Sequence, residues 1–323
     1  VVFLFAVAVY DVAQMKAVFI TINTLALFAS VLSFAGSICD CGNVAELFAS
    51  ARLPLIYLLV LSSLMAGALK AKRTVICLGV LTLLSVGSLA QFFIKRTASP
   101  ETGSNKIRIL EMNLWGGRNR SKNAIIEEIK RQDPDVICLS EITGSLLATL
   151  KSELPSYSFA LAEPTHGGVA LFSRIPVRDA SVKFCAEAKR SRIVVCVAKK
   201  NVVMRVFSVH TQVPIRTQEL RDKELQDLAS EIQNSKEPVL LVGDLNLTPF
   251  SYHFNRLLQD ANLIDSEKGF GIQPTWNAFI PITLIPIDHC LSSASFVTTN
   301  RQLGHHIGSD HLPLVVDLSY PDK

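Results

Sequence analysis

A layered α/β domain of about 220 residues, set behind three membrane-spanning helices, is the architecture that this sequence predicts. Two observations carry it. The first hundred residues contain three long apolar runs with almost no internal charge, and the remainder alternates short β-rich runs with helical periodicity.

The apolar runs are AVFITINTLALFASVLSFAG (17–36), LPLIYLLVLSSLMAGAL (53–69) and TVICLGVLTLLSVGSLAQFFI (74–94). Each approaches the roughly 20 apolar residues that a helix needs to cross a hydrocarbon layer about 30 Å thick. The first could in isolation be a signal peptide starting at Lys16, but it has no clear small-residue cleavage site and two further runs follow it. The opening VVFLFAVAVYD lacks an initial Met, and Met15 is a candidate start. Lys70, Lys72 and Arg73 join the second and third runs, so the positive-inside rule puts that loop and the Lys16 end in the cytoplasm and everything after Ile94 outside. Lys95 and Arg96 run against that orientation.

Charge separates the two halves. Of 32 basic and 28 acidic residues, the first hundred positions hold seven and three, which leaves 25 of each sign in the remainder. A domain that grips nucleic acid by bulk electrostatics shows a basic excess, and this one does not. Lys189, Arg190, Arg192, Lys199 and Lys200 could form a local basic patch, but the solvated face of a hairpin is the simpler reading.

RTASPETGSNK (96–106) is polar and turn-rich and marks the boundary: a membrane region over 1–96, a linker over 97–105 and a second domain over 106–323. Within that domain IRILEMNLW, VICLS, GVALFS, RIVVCVA, VVMRVFSVH, VLLVGDLNL, DHCLSS and LPLVVDL read as strands. NAIIEEIKRQ and the stretch from Thr217 to Gln233 read as helices, the first stopping at Asp133-Pro134. Cys77, Cys138 and Cys290 fall in apolar runs, while Cys185 and Cys196 flank the turn KRSR and could face each other across a hairpin, as a disulfide if the domain lies outside. Cys39-Asp40-Cys41 lacks the companion ligands of a zinc site.

Six strand-like runs place a polar residue at one end: Asn113, Glu141, His210, Asp244 with Asn246, Asp288, and Asp310 with His311. One such residue is usually a cap or turn former; six are hard to assign to caps. The Glu and Asp oxygens suit Mg²⁺, and a carboxylate to activate water with imidazoles to stabilise or protonate phosphate oxygens makes phosphoester hydrolysis the natural inference. His305-His306 near Asp310 leaves a minor zinc reading. No G-x-S-x-G elbow, P-loop or G-x-G-x-x-G occurs. Trp115 and Trp276 lie close to these motifs and read as core packing.

MNLW, LSEI, HTQ, GDLN, IDHCL and GSDHLP, in that order, resemble the endonuclease/exonuclease/phosphatase superfamily over residues 105–319, and the preceding apolar runs with PTW…PIDH look like its bacterial membrane-anchored branch. The resemblance implies a four-layer α/β sandwich, two packed mixed β-sheets flanked by helices. It implies Glu141 as principal Mg²⁺ ligand, Mn²⁺ being possible, with Asn113 and Asp310 near the metal or its waters. Asp244 would orient or deprotonate the attacking water, and Asn246 would hold it or a phosphate oxygen. His311 would contact the scissile phosphate, fixed by Asp288, and His210 would be a candidate acid for the leaving group. The chain is thus expected to be a metal-dependent phosphoester hydrolase of the inner membrane, with its catalytic domain on the periplasmic side, most simply a nuclease-like phosphodiesterase. A phospholipid or sphingomyelin phosphodiesterase, an inositol-phosphate phosphatase and a non-catalytic tethered binding module are the alternatives. PTWNAFIPITLIP (274–286) is apolar enough to form a lip for a lipid substrate.

Overall fold

The computed structural model describes residues 2–94, 105–214 and 217–321. The chain divides into two compact units, Val1–Ala90 and Gln91–Lys323. Most of the expected linker, like Lys95 and Arg96, lies outside the described residues.

The first unit is helical: α1 (Val2–Ile38), α2 (Asn43–Ser50), α3 (Arg52–Ala68) and α4 (Lys72–Gly87). Ala17–Ile38 and Lys72–Phe92 are long and apolar enough to cross a membrane. The second expected span differs, because α2 and α3 meet that criterion only together and are bent by 72° at their junction. Two spans therefore stand by length and composition, or three if the bent pair is one. Arg52, at the bend, is buried and donates to the Ser33 carbonyl at 2.9 Å and to Ser37 Oγ at 2.5 Å, so α1 satisfies the charge that a purely apolar reading of this region leaves out. Large apolar side chains such as Ile20, Phe28, Ile76 and Leu83 remain exposed, as suits a lipid-facing surface. Cys77 is exposed on α4.

The second unit contains β1 (Asn105–Asn113), α5 (Lys122–Gln132), β2 (Val136–Ser140), α6 (Gly144–Glu153), β3 (Phe159–Glu163), β4 (Val169–Ser173), β5 (Val177–Cys185), β6 (Arg190–Lys199) and β7 (Val202–His210). After these come α7 (Gln218–Gln233), β8 (Val239–Asp244), α8 (Tyr252–Asp260), β9 (Ile264–Asp265), β10 (Asp288–Ser292), β11 (Val297–Leu303) and β12 (Leu314–Tyr320). They form two six-stranded mixed sheets, ordered β11-β12-β1-β2-β4-β3 and β5-β6-β7-β8-β10-β9.

Alternation of side chains along each strand sorts them into layers. Ile107, Ile109, Val136 and Cys138 of one sheet meet Val195, Met204, Val206, Leu240 and Val242 of the other in a central core. Leu110, Met112 and Leu139 point the opposite way, onto Ile125 and Ile129 of α5 and Leu146 and Leu150 of α6. Phe207, Val209 and Leu241 turn outward onto Leu225 and Leu228 of α7 and Phe254 and Leu257 of α8. The result is the expected four-layer α/β sandwich, and strands covered on both faces explain why VICLS and VLLV are continuous apolar runs. Phe92, near the end of the third apolar run, belongs to this unit: it is buried against Phe250 with ring centroids 5.7 Å apart, and its carbonyl accepts from Gly269 and Gly271.

Cys185 and Cys196 do not face each other. Cys185 is opposite Arg190 and Cys196 opposite Asp179, because the β5–β6 hairpin turns at 186–189 and not at KRSR, and both are free and buried.

Candidate active site

One edge of the sandwich collects the polar strand ends. Parallel pairing of β1 with β2 sets Asn113 beside Ser140, so Glu141 emerges next to Asn113. Parallel pairing of β7 with β8 sets His210 beside Asp244, and antiparallel pairing of β10 with β8 sets Asp288 on the other side of Asp244. Asp288 thus stands at the entry of its strand, as do Asp310 and His311 before β12. Glu141 and Asn246 both adopt left-handed backbone, φ 55° and 49°, which turns the chain sharply as it leaves β2 and β8.

The side chains converge. Asn113 donates to Asp244 Oδ2 at 2.9 Å and lies 3.5 Å from Glu141 Oε1, while its Oδ1 accepts from Trp115 N at 3.0 Å. His311 Nδ1 bonds Asp288 Oδ2 at 2.8 Å, and its Nε2 lies 3.9 Å from Asp244 Oδ2. His210 Nε2 is 3.8 Å from the same oxygen, and its Nδ1 donates to the Gly167 carbonyl at 2.8 Å. The Asn246 amide N–H donates to Asp244 Oδ1 at 2.8 Å, and its side-chain amide to the Thr211 carbonyl at 2.9 Å. Asp310 Oδ2 accepts from Trp276 Nε1 at 3.0 Å, whereas its Oδ1 is buried without a hydrogen-bond partner.

Burial sets the charges. It works against the imidazolium of His311, but the charge and hydrogen bond of Asp288 outweigh it and hold that group at about 9. Burial opposes the Asp288 carboxylate too, yet the His311 charge holds it below the ordinary range. Burial, helped by the charge of Asp288, pushes Asp244 up to about 7. Burial and the charge of Arg190 bring His210 down to about 4. Burial and neighbours thus favour the cationic form of one imidazole and the neutral form of the other, with Nε2 respectively 3.9 Å and 3.8 Å from a carboxyl poised near neutrality.

All eight expected site residues lie at this edge, although the roles differ in directness. Asn113 uses its amide to tie Asp244 to Glu141, and Asn246 fixes the loop after β8. Ser309 and Thr275, which lie within GSDHLP and PTW, carry no charge, and the sequence alone assigns them no role. The Ser309 hydroxyl donates to the Asn113 carbonyl at 2.8 Å and accepts from His311 N at 3.1 Å. Thr275 Oγ1 accepts from the backbone N–H of Asp288 at 3.3 Å. Trp276 is more than core packing, since its indole orients Asp310. Glu111, on β1, is fully buried beside Asp288, and burial together with the charges of Asp288 and Asp244 pushes it well above the carboxylate range.

The family model described as "Endonuclease/Exonuclease/phosphatase family" matches residues 110–311. The chain belongs to that family. No curated protein matches the sequence. Among solved structures, it is similar to an endonuclease/exonuclease/phosphatase from Bacteroides vulgatus (TM-score 0.59, 17% identity, covering 67% of this chain and 99% of that one). It is similar also to one from Beutenbergia cavernae DSM 12333 (TM-score 0.56, 19% identity, 67% and 72%) and to D. rerio TDP2 complexed with single strand DNA product (TM-score 0.55, 15% identity, 66% and 99%). The family points to phosphoester hydrolysis.

Proposed function

We propose that the protein is a membrane-anchored, divalent-metal-dependent phosphodiesterase of nuclease-like type, and that its second unit acts outside the cytoplasm, tethered by the helices of the first. The observation that carries the catalytic reading is the charge pair Asp288–His311 set against Asp244, with Asn113 joining Asp244 to Glu141.

The donor set fits a hard cation. Glu141 and Asp310 offer carboxylate oxygens, and the buried Oδ1 of Asp310 has no hydrogen-bond partner among the described residues; Asn113, whose Oδ1 accepts from Trp115 N and whose amide faces Asp244 and Glu141, would orient these carboxylates. Such an ion, with Mg²⁺ or Mn²⁺ as candidates, would supply Lewis-acid stabilisation of phosphate oxygens. The protein's own groups do the remainder. Asp244, poised near neutrality, can take a proton from water, and the Asn246 N–H fixes that carboxyl's direction. His311, cationic, can donate from Nε2 to a phosphate oxygen while Asp288 fixes its ring. His210 points Nε2 inward with Nδ1–H engaged, so in the free protein that nitrogen is an acceptor. It can serve as leaving-group acid only once an anionic substrate has raised its proton affinity.

One observation favours a second reading, a lipid phosphodiesterase. Phe279, Ile280 and Ile282 are 50%, 50% and 65% exposed on the loop whose Trp276 and Ala278 bond Asp310. The discriminating experiment gives the full chain, with Mg²⁺, a single-stranded oligonucleotide in parallel with sphingomyelin vesicles. Chain cleavage without phosphocholine release supports the nuclease-like reading; phosphocholine release alone replaces it with the second.

A further inference from the structure

We propose that Arg190 is the base of a second phosphate subsite beside the catalytic centre, so that the substrate carries a further phosphate on its Glu141 and His210 side. This rests on the phosphodiesterase reading and narrows its substrate class. A cleft of about 340 Å³ opens next to the site, lined by Glu141, Thr143, Thr165, Gly168, Arg190 and His210. Glu141 and His210 form the wall shared with the catalytic groups, and Arg190 brings a guanidinium to that lining.

Arg190 is set apart from the other basic residues of its hairpin. Arg192 is held by Asp227 at 2.7 Å and Glu231 at 2.5 Å, and Lys199 by Asp135 at 2.6 Å, so these charges are spent within the fold. Among the described residues no carboxylate lies within ion-pair distance of the Arg190 guanidinium, and its Nε is buried without a hydrogen-bond partner. The charge of Arg190 reaches the buried carboxyl of Glu224 only across a longer distance, so a guanidinium that lines a pocket without a direct ion pair is completed best by an anion, and its planar fork suits a phosphate.

The backbone is built to hold it there. Gly167, at φ +95°, would bring a Cβ to 2.9 Å from Arg190 Nη1, so the guanidinium lies over a bare glycine. The carbonyl of that glycine accepts from His210 Nδ1 at 2.8 Å, which links the new subsite to a catalytic side chain through one residue. Gly168, at φ +64°, would bring a Cβ to 3.0 Å from Glu141 Cα, so the same glycine pair keeps the cleft open beside Glu141. Positive charge near His210 also accounts for part of the low proton affinity of that imidazole.

The test measures binding and turnover separately, on the full chain in detergent with Mg²⁺. Calorimetry compares thymidine 3′,5′-bisphosphate with thymidine 5′-monophosphate, and inositol 1,4-bisphosphate with inositol 1-phosphate, for the wild type, Arg190→Lys and Arg190→Ala. At least one bisphosphate should bind about tenfold or more tightly than its monophosphate, with the preference reduced in Arg190→Lys and abolished in Arg190→Ala. The nucleoside pair would point to a nucleic-acid strand, and the inositol pair to a phosphoinositide head group. Equal affinities in both pairs, or a preference that survives Arg190→Ala, would overturn the subsite. Turnover of bis-(p-nitrophenyl) phosphate by the wild type tests the underlying reading independently: its absence would remove the phosphodiesterase assignment while the binding ratios still decide the subsite.

Discussion

Trp276 donates its indole N–H to Asp310 Oδ2 at 3.0 Å and leaves Oδ1 buried without a hydrogen-bond partner among the described residues, so the aromatic ring sets the direction of the carboxylate. If Asp310 helps to hold the cation, Trp276→Phe should weaken metal activation about 10- to 100-fold with little change in maximal rate. A Mg²⁺ titration of turnover reads this directly, and an unchanged midpoint would separate Asp310 from the metal. Glu224, nearly buried on α7, accepts from Gln212 N at 3.0 Å, yet burial pushes its carboxyl up to about 7. Its folded proton affinity lies above the unfolded value, so its contribution to stability is complete below about pH 4 and is lost as pH rises through about 7. Glu224→Gln should therefore gain on the wild type between pH 5 and 8, by an order of 3 kcal/mol at most. Melting curves that run parallel across that range would exclude the effect. The charged and amide members of the site were legible because polar types are unusual at the ends of apolar strands. Ser309, Thr275 and Glu111 were not, because their importance lies in which distant atoms they meet: Ser309 joins the turn before β12 to the end of β1.

The pairing of β7 with β8 carries His210 and Asp244 into one plane, and it depends on a close approach of backbones. Gly243, opposite Val209, has φ +147°, and a Cβ there would stand 1.9 Å from the Val209 carbonyl oxygen. Gly243→Ala should cost about 4 kcal/mol or more, among the largest losses for a single methyl, and should lower activity even where the protein remains folded. Chemical denaturation checks the first part, and a loss below about 1 kcal/mol would mean that the strands part easily. Elements read well from the sequence where periodicity was strong, as in α5, α7 and the strands buried on both faces. The strands β3, β5, β9 and β11 and the helices α6 and α8 gave too brief or too mixed a pattern to read. The bend between α2 and α3 was hidden for another reason, since hydropathy sums composition and is blind to direction.

At the level of the whole chain, two units are joined near residue 90, and the apolar run that reads as one span contributes its last residues to the second unit. Phe92 is 1% exposed there. Phe92→Ala should lower the stability of that unit by about 3–5 kcal/mol, a loss absent from a side chain that merely faced lipid. Unfolding of the catalytic unit, followed by its own Trp fluorescence, reads the difference; a change under about 1 kcal/mol would return Phe92 to the span. The balanced charge of the second half gives none of the basic excess that bulk nucleic-acid binding uses, and a phosphate subsite at Arg190 would be local and not part of a field.

The central claim, that this edge of the sandwich hydrolyses phosphodiesters with a divalent ion, is tested most directly by turnover of bis-(p-nitrophenyl) phosphate by the full chain. The comparison is Mg²⁺, Mn²⁺ and chelator, for the wild type and Glu141→Gln. Metal-dependent turnover that falls about 100-fold or more in Glu141→Gln is the predicted result. Turnover that is indifferent to the chelator or to Glu141→Gln, or no turnover with either metal, would contradict the account.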